Sequence, residues 1–268
     1  MADHAAVAAR LLDARDRAVL TTLPAADGAF TLDDAYAVAT LTMAQRLARG
    51  ERRCGWKIGF TNRGIWPRYG VFAPIWGPVW DSTLQLLDGD RAELSLAGLV
   101  QPRLEPEIVF GFARAPEPGA DEAALIDCLA WVAHGVEVVH THYADWRFAA
   151  PDTVADFGLH GTLRVGARHA VEGWPMLGAD LAALQLDLWC DDRLVEQGAG
   201  RAVLGSPLLA LQAWLTAMQA QTPHWRVEPG DVVTTGTLTD AWPLQAGQRW
   251  QTRLSDERLP GLCLDVVA

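Results

Sequence analysis

Apolar and polar positions along the first fifty residues alternate at the three-and-four spacing of helices with one buried face. Residues 3–20 predict an amphipathic helix. Thr31 followed by Asp33 and Asp34 reads as an N-cap with an acidic first turn, opening a helix that closes near Gly50. From Gly55 to about Asp90, frequent Gly, Pro and Trp predict loops and short strands. Residues 99–112 predict a strand, and 120–133 a helix that runs into the β-branched stretch at Val136 to Val139. Ser206-Pro207 places Pro at the first position of a further helix reaching about Ala220. Strands over 231–236, 249–254 and 261–267 close the chain. Early helices and later strands predict an α+β fold, with a smaller helical N-terminal part (residues 1–85) and a larger β-rich part (86–268) forming one functional unit.

Three acids break the apolar pattern. In Leu104-Glu105-Pro106-Glu107-Ile108-Val109-Phe110, strand parity turns Glu105 and Glu107 to one face and Leu104, Pro106, Ile108 and Phe110 to the other. Pro106 favours an extended backbone before it and lacks an N–H, so this strand is expected at an edge or bulge there. Two carboxylates ~6 Å apart repel by roughly 3 kcal/mol at an effective dielectric near 20. A buried pair therefore needs a cation, a shared proton or an arginine. Glu137 sits similarly within Gly135-Val136-Glu137-Val138-Val139. The local pattern leaves two arrangements open: all three acids facing solvent, or an oxygen-only site for a hard divalent cation. His140 and His142 fall on the strand face opposite Glu137, which argues against one zinc site with His134 and predicts supporting or surface roles for these histidines.

Composition narrows the classes. The net charge of −11 comes without a basic stripe, which excludes nucleic-acid binding as an expectation. No apolar run reaches the ~18 residues of a membrane span, and the N-terminus lacks the order of a signal peptide, so a cytoplasmic protein is expected. Cys54, Cys128, Cys190 and Cys263 form no C-x-x-C pair and read as buried free thiols. Of 22 basic residues only Lys57 is a lysine. Codon bias explains the arginines; a surviving lysine suits a place where a compact, deprotonatable charge is needed.

Several segments, in order, resemble one family. Gly55-Trp56-Lys57-Ile58-Gly59-Phe60-Thr61, then Tyr69-Gly70-Val71, Pro74-Ile75-Trp76-Gly77 and Asp81, resemble the lysine motif of the 2-keto-4-pentenoate hydratase and 4-oxalocrotonate decarboxylase branch of the fumarylacetoacetate hydrolase superfamily. Pro102-Arg103-Leu104-Glu105-Pro106-Glu107 is similar to its P-R-[VL]-E-x-E block. Val203-Leu204-Gly205-Ser206-Pro207 and Thr235-Gly236-Thr237-Leu238-Thr239 are similar to its later blocks. The resemblance runs from about residue 30 to the C-terminus.

It implies a fumarylacetoacetate-hydrolase-like mixed β-roll with flanking helices. It implies Mg²⁺ or Mn²⁺ held by Glu105, Glu107 and Glu137, and a homo-oligomer. Lys57 is implied in the pocket, as substrate anchor or base, with Asp81 near it. Substrate contacts are implied at Leu104, Thr237 and Thr239. The implied substrate is a small 2-oxo acid: a 2-hydroxy-2,4-dienoate for hydration, with decarboxylation of a 2-oxo-3-enedioate, C–C hydrolysis of an acylpyruvate and a non-catalytic partner subunit as alternatives. This chain departs from the family at Asp81-Ser82-Thr83, at His140 and at His160, where relatives carry a serine. His160 is expected either as a proton-carrying group that decides the reaction or as a core histidine satisfied by backbone.

Overall fold

The computed structural model describes residues 3–24 and 29–268; Met1 and Ala2, which begin the segment read above for a signal peptide, lie outside it. Helices α1 (His4–Arg17) and α2 (Leu32–Ala48) open the chain. Thr31 accepts from the Asp34 N–H while the Asp34 carboxylate accepts from the Thr31 N–H, a complete capping box. Strand β1 (Arg53–Gly59), the short helix α3 (Trp66–Tyr69), β2 (Ile75–Trp80), β3 (Leu84–Leu86) and β4 (Arg91–Ser95) follow. Then come β5 (Arg103–Phe112), α4 (Glu122–Ile126), β6 (Leu129–Val139), α5 (Ala150–Ala155), β7 (His160–Val165) and β8 (His169–Ala170). The rest is α6 (Leu177–Ala183), β9 (Gln185–Cys190), β10 (Arg193–Ala199), α7 (Pro207–Gln221), β11 (Val232–Thr237), β12 (Trp242–Pro243), β13 (Arg249–Leu254) and β14 (Cys263–Val267).

Two sheets carry the fold. The larger runs β2-β1-β11-β5-β6-β7-β3, with β12 on β5 and β8 on β6; the smaller runs β10-β9-β13-β14-β4. Between them lies a core that includes Trp56, Leu94, Leu104, Ile108, Val136, Leu186 and Leu264. Burial of these side chains is the main stabilising term.

Two expectations change, and a third resolves between its two alternatives. The boundary near residue 85 separates no sheet, because β1 pairs in parallel with β11 and β3 with β7; the helical part is confined to α1 and α2. The predicted helix at 120–133 shrinks to α4, and β6 begins at Leu129. Its apolar residues fit either periodicity, and pairing with β5 along most of its length outweighs local helix preference. Pro106 lies at no edge: β5 is central. The Pro106 carbonyl accepts from Leu238, so its nitrogen faces the same side, where β11 shifts register between Thr234 and Thr237. The missing N–H meets a bulge, the other arrangement the sequence allowed.

The β9–β10 hairpin escaped the sequence reading. Its turn, Asp191-Asp192, has both residues at positive φ (48° and 64°), the geometry of a two-residue turn that matches strand twist.

Candidate active site

Register brings the three acids together. Glu105 on β5 stands directly opposite Glu137 on β6, and Glu107 lies two residues along β5. One oxygen from each falls within 4.8 Å of the others. Like charges opposed across a ladder are destabilising, and these are buried or half-buried. Each inner carboxylate is half committed. Glu107 Oε2 accepts from the Gly236 N–H at 2.7 Å, and Glu137 Oε1 accepts from His160 Nδ1 at 2.7 Å. Glu107 Oε1 and Glu137 Oε2 are buried with no hydrogen bond among the described residues. Two oriented oxygens without a hydrogen bond, one of them 3.4 Å from the Lys57 ammonium, beside a third carboxylate fit a hard divalent cation.

Electrostatics agree. Burial, reinforced by Glu137 and Glu105, pushes Glu107 well above the usual carboxylate range. Burial raises Glu105 to about 7 despite Lys57. Burial also works against Glu137, but Lys57 and the His160 hydrogen bond prevail and keep it low. Lys57 is buried, lies 3.4 Å from Glu137 Oε2 and donates to the Gly158 carbonyl at 3.0 Å. Burial favours its neutral form; the three carboxylates, Glu137 foremost, outweigh that and raise it above the ordinary lysine value. Without a cation, Lys57 is charged.

A cavity of about 200 Å³ opens above this cluster, lined by Lys57, Glu105, Arg103, Thr237 and Thr239 and walled by aromatic residues including Phe60, Tyr69, Trp146 and Phe148. The Arg103 guanidinium lies over the Trp146 ring at 4.2 Å. The segment Phe157-Gly158-Leu159, which receives the Lys57 hydrogen bond, has φ of 57°, 64° and 64°. Non-glycine residues held there store roughly 1–3 kcal/mol each, as is common at functional sites.

The sequence-derived residues divide. Lys57, Glu105, Glu107, Glu137, Thr237 and Thr239 converge. Leu104 does not: its side chain is buried in the core on the opposite strand face. Asp81 does not: Gly77 pairs with Lys57, so Asp81 lies four residues beyond it, ~13 Å along the strand. There it accepts from the backbone N–H and Nε of Arg52. His160 is buried below the cavity, between Glu137 and the Thr83 hydroxyl, whose Oγ1 lies 2.8 Å from Nε2. Burial outweighs Glu137 and lowers its pKa, so it is neutral and donates from Nδ1. It orients Glu137; it is neither a backbone-satisfied core group nor a proton carrier facing substrate.

His134, His140 and His142 are buried, not superficial. His134 lies 3.0 Å from the Glu107 carbonyl through Nδ1 and 2.8 Å from the Thr252 hydroxyl through Nε2, linking the two sheets. His140 accepts from the Val100 N–H and is held well below its usual pKa by burial and Arg15. His142 meets Asp156 at 2.5 Å. Arg103 was missed as a site group, although it stands inside the P-R-L-E block; two residues before Glu105 on the same strand, it shares that acid's face.

This geometry has close counterparts. A 4-oxalocrotonate decarboxylase from a Pseudomonas species is 32% identical over 243 residues, 90% of this chain and 90% of the relative. The chain belongs to the 2-keto-4-pentenoate hydratase and 4-oxalocrotonate decarboxylase family. A 2-hydroxyhexa-2,4-dienoate hydratase from Comamonas testosteroni is 32% identical across 87% of both chains. A 2-keto-4-pentenoate hydratase from Paraburkholderia phymatum is 34% identical across 87% of this chain and 86% of that one. Among solved structures, the 4-oxalocrotonate decarboxylase from Pseudomonas putida G7, complexed with magnesium and adipate, superposes with a TM-score of 0.88 at 25% identity, covering 98% of this chain and 97% of the other. The fumarylpyruvate hydrolase from Pseudomonas aeruginosa, complexed with Mn²⁺ and pyruvate, shares the fold at 14% identity, with a TM-score of 0.61 over 81% of this chain and 89% of that one. The fumarylacetoacetate-hydrolase type of fold expected from the motifs is therefore the observed one. No family model matches the chain. No helix among the described residues is long and apolar enough to cross a membrane.

Proposed function

We propose that this chain is a Mg²⁺-dependent hydro-lyase that converts a small 2-hydroxy-2,4-dienoate to a 4-hydroxy-2-oxo acid. The observation that carries the reading is the cluster of one oxygen each from Glu105, Glu107 and Glu137, with Lys57 3.4 Å from Glu137 Oε2, where Glu105 and Lys57 line the cavity. Glu105, Glu107 and Glu137 hold the cation; Mn²⁺ suits the same oxygen set. When bound, the cation supplies Lewis-acid polarisation of a chelated 2-oxo (enol) group.

The chain's own residues do the rest. The charged Lys57 ammonium anchors the carboxylate end of the substrate, and Gly158 holds that ammonium in place. Thr237 and Thr239 line the same cavity and orient the substrate. The aromatic wall shields the conjugated system from bulk water, so the charge that develops at C2 meets fixed groups. In the net reaction the 2-hydroxyl gives up a proton as C5 gains one, and water adds across the resulting C3–C4 double bond, with hydroxyl on C4 and hydrogen on C3. We also infer a homo-oligomer in the cytoplasm. Exposed Phe72 and Leu209 support self-association, and four free thiols suit a reducing compartment.

Decarboxylation of a 2-oxo-3-enedioate is the second reading. Arg103 favours it, because a guanidinium in the cavity suits a second carboxylate, which an enedioate has and a simple dienoate lacks. The deciding assay offers the purified protein, with Mg²⁺, 2-hydroxypenta-2,4-dienoate, 2-oxo-3-hexenedioate and an acylpyruvate, and identifies the products. Turnover of the first supports hydration. CO₂ from the second alone replaces it with decarboxylation, and turnover of the acylpyruvate alone with C–C hydrolysis. Inertness towards all three with Mg²⁺ bound leaves the non-catalytic partner subunit and defeats the catalytic reading.

A further inference from the structure

A second cavity, of about 370 Å³, shares no lining residue with the first. Three arginines line it, Arg15 from α1, Arg46 from α2 and Arg164 from β7, together with Glu51, Ser82 and Thr83. In a chain of net charge −11, three guanidinium groups turned to one void need an account.

Arg46 is almost fully buried. It forms a two-pronged pair with Glu51 (Nε to Oε1 3.0 Å, Nη2 to Oε2 2.5 Å), reaches the Ser82 hydroxyl at 3.3 Å and lies 4.3 Å over the Trp80 ring. Its Nη1 is buried with no hydrogen-bond partner among the described residues. Arg164 donates through Nη1 to the Thr162 hydroxyl, and its Nε is likewise buried without a partner. Arg15 Nη1 donates to the His160 carbonyl at 3.0 Å and lies 3.2 Å from His140 Nε2, and its guanidinium lies over the Phe157 ring. Burial, and after it the charge of Arg46, brings the Arg15 guanidinium down to about 10.

The acids near this set are already engaged: Asp156, whose charge favours the charged form of Arg15, meets the Thr141 hydroxyl and His142. Glu51 is taken by Arg46, and Asp16, which also borders the cavity, is held by Arg49 at 2.7 and 3.0 Å. Buried cations with unsatisfied N–H groups are costly unless a counter-charge meets them. Guanidinium forks match the paired oxygens of a carboxylate or phosphate.

We propose that this cavity is a binding site for a small oxyanion of the phosphate or carboxylate class, held between Arg15, Arg46 and Arg164. The site lies one side chain away from the metal cluster's support: Thr83 lines it, and the Thr83 hydroxyl contacts His160, which contacts Glu137.

The test is calorimetric titration of inorganic phosphate and, separately, acetate into the metal-free full-length protein. One saturable equivalent that persists in Arg103→Gln is expected; acetate binding that Arg103→Gln removes belongs to the first cavity, and the tighter of the two anions at the persistent site distinguishes a phosphate source from a carboxylate source. Arg164→Gln and Arg46→Gln should each weaken it about tenfold or more, the scale of one charge-assisted hydrogen bond. Arg103→Gln, in the other cavity, should leave it unchanged. Circular dichroism checks that each variant folds; Arg164→Lys, which keeps the charge but loses the fork, serves if the glutamine variants do not, and should bind with reduced affinity. The proposal is overturned if neither anion binds saturably, or if Arg103→Gln removes binding while the cavity variants retain it. It is also overturned if sedimentation shows that Arg164→Gln dissociates an oligomer without changing anion affinity, since an acid of a second copy would then fill the cavity.

Discussion

Glu137 has one oxygen bound to His160 and the other turned to Lys57 and the carboxylate cluster, and that division of labour sets what single substitutions should do. His160→Ser shortens the side chain and frees Glu137 to rotate. Groups that orient metal ligands are typically worth roughly 10–100-fold in affinity. Mg²⁺ titration of the variant should show a loss of that order while the fold, followed by circular dichroism, persists; unchanged affinity would remove His160 from the support of the site. Glu107→Gln replaces a ligand outright and should abolish measurable Mg²⁺ binding in the same titration. The pH dependence of the wild type follows from Glu105. Its carboxyl, raised to about 7 by burial, is protonated below that pH and must lose the proton to ligate. Apparent Mg²⁺ affinity should therefore rise as pH climbs through 7, with proton release on binding measured in buffers of different ionisation enthalpy. A flat profile from pH 6 to 8 would contradict it.

At the scale of elements, the site depends on one bulge. Gly236 donates its N–H to Glu107 from a backbone at φ 97°, and a Cβ there would meet Thr61 Oγ1 at 1.9 Å. A left-handed conformation and a close approach both demand glycine. Gly236→Ala should destabilise the protein by roughly 1–3 kcal/mol, from strain and overpacking, and should weaken Mg²⁺ binding through Glu107. Denaturant unfolding and metal titration on the same variant check both; a stable variant with unaltered affinity would mean that the turn is incidental. The same bulge accommodates Pro106, which is how a proline sits in a central strand.

Across the whole molecule, the carboxylate cluster makes stability depend on metal and pH together. In the metal-free protein Glu105 and Glu107 have folded-state pKa values above their unfolded ones. The folded state then holds more protons, and this part of the stability is present at low pH and lost as pH rises from the unfolded value near 4.5 through about 7 for Glu105. A bound cation reverses the sign by favouring the ionised form. Melting temperature without metal should fall across that window, and the gain from added Mg²⁺ should grow across it. At a hundredfold excess over Kd the cation should contribute about 2.7 kcal/mol. Chelator melts at pH 5 and 7.5 measure the difference; equal Mg²⁺ gains at both would refute the coupling.

Much of this was legible in the linear chain wherever neighbours in sequence decide the outcome. The capping box at Thr31, the Ser206-Pro207 start of α7 and the common face of Glu105 and Glu107 follow from local dihedral preference and strand parity. The ordered motifs added Glu137 and Lys57. What stayed hidden depends on partners far along the chain. Asp81 stands near the lysine motif in sequence, yet pairing across β1 and β2 carries it to Arg52. His160 resembles a pocket residue in a motif, yet its position at the start of β7 directs it under Glu137, where burial removes its charge. Arg15, Arg46 and Arg164 are three unremarkable arginines until two helices and a strand meet. Side-chain direction within an element is a property of a few adjacent residues; which element it faces, and how much water remains there, is set by long-range pairing and burial.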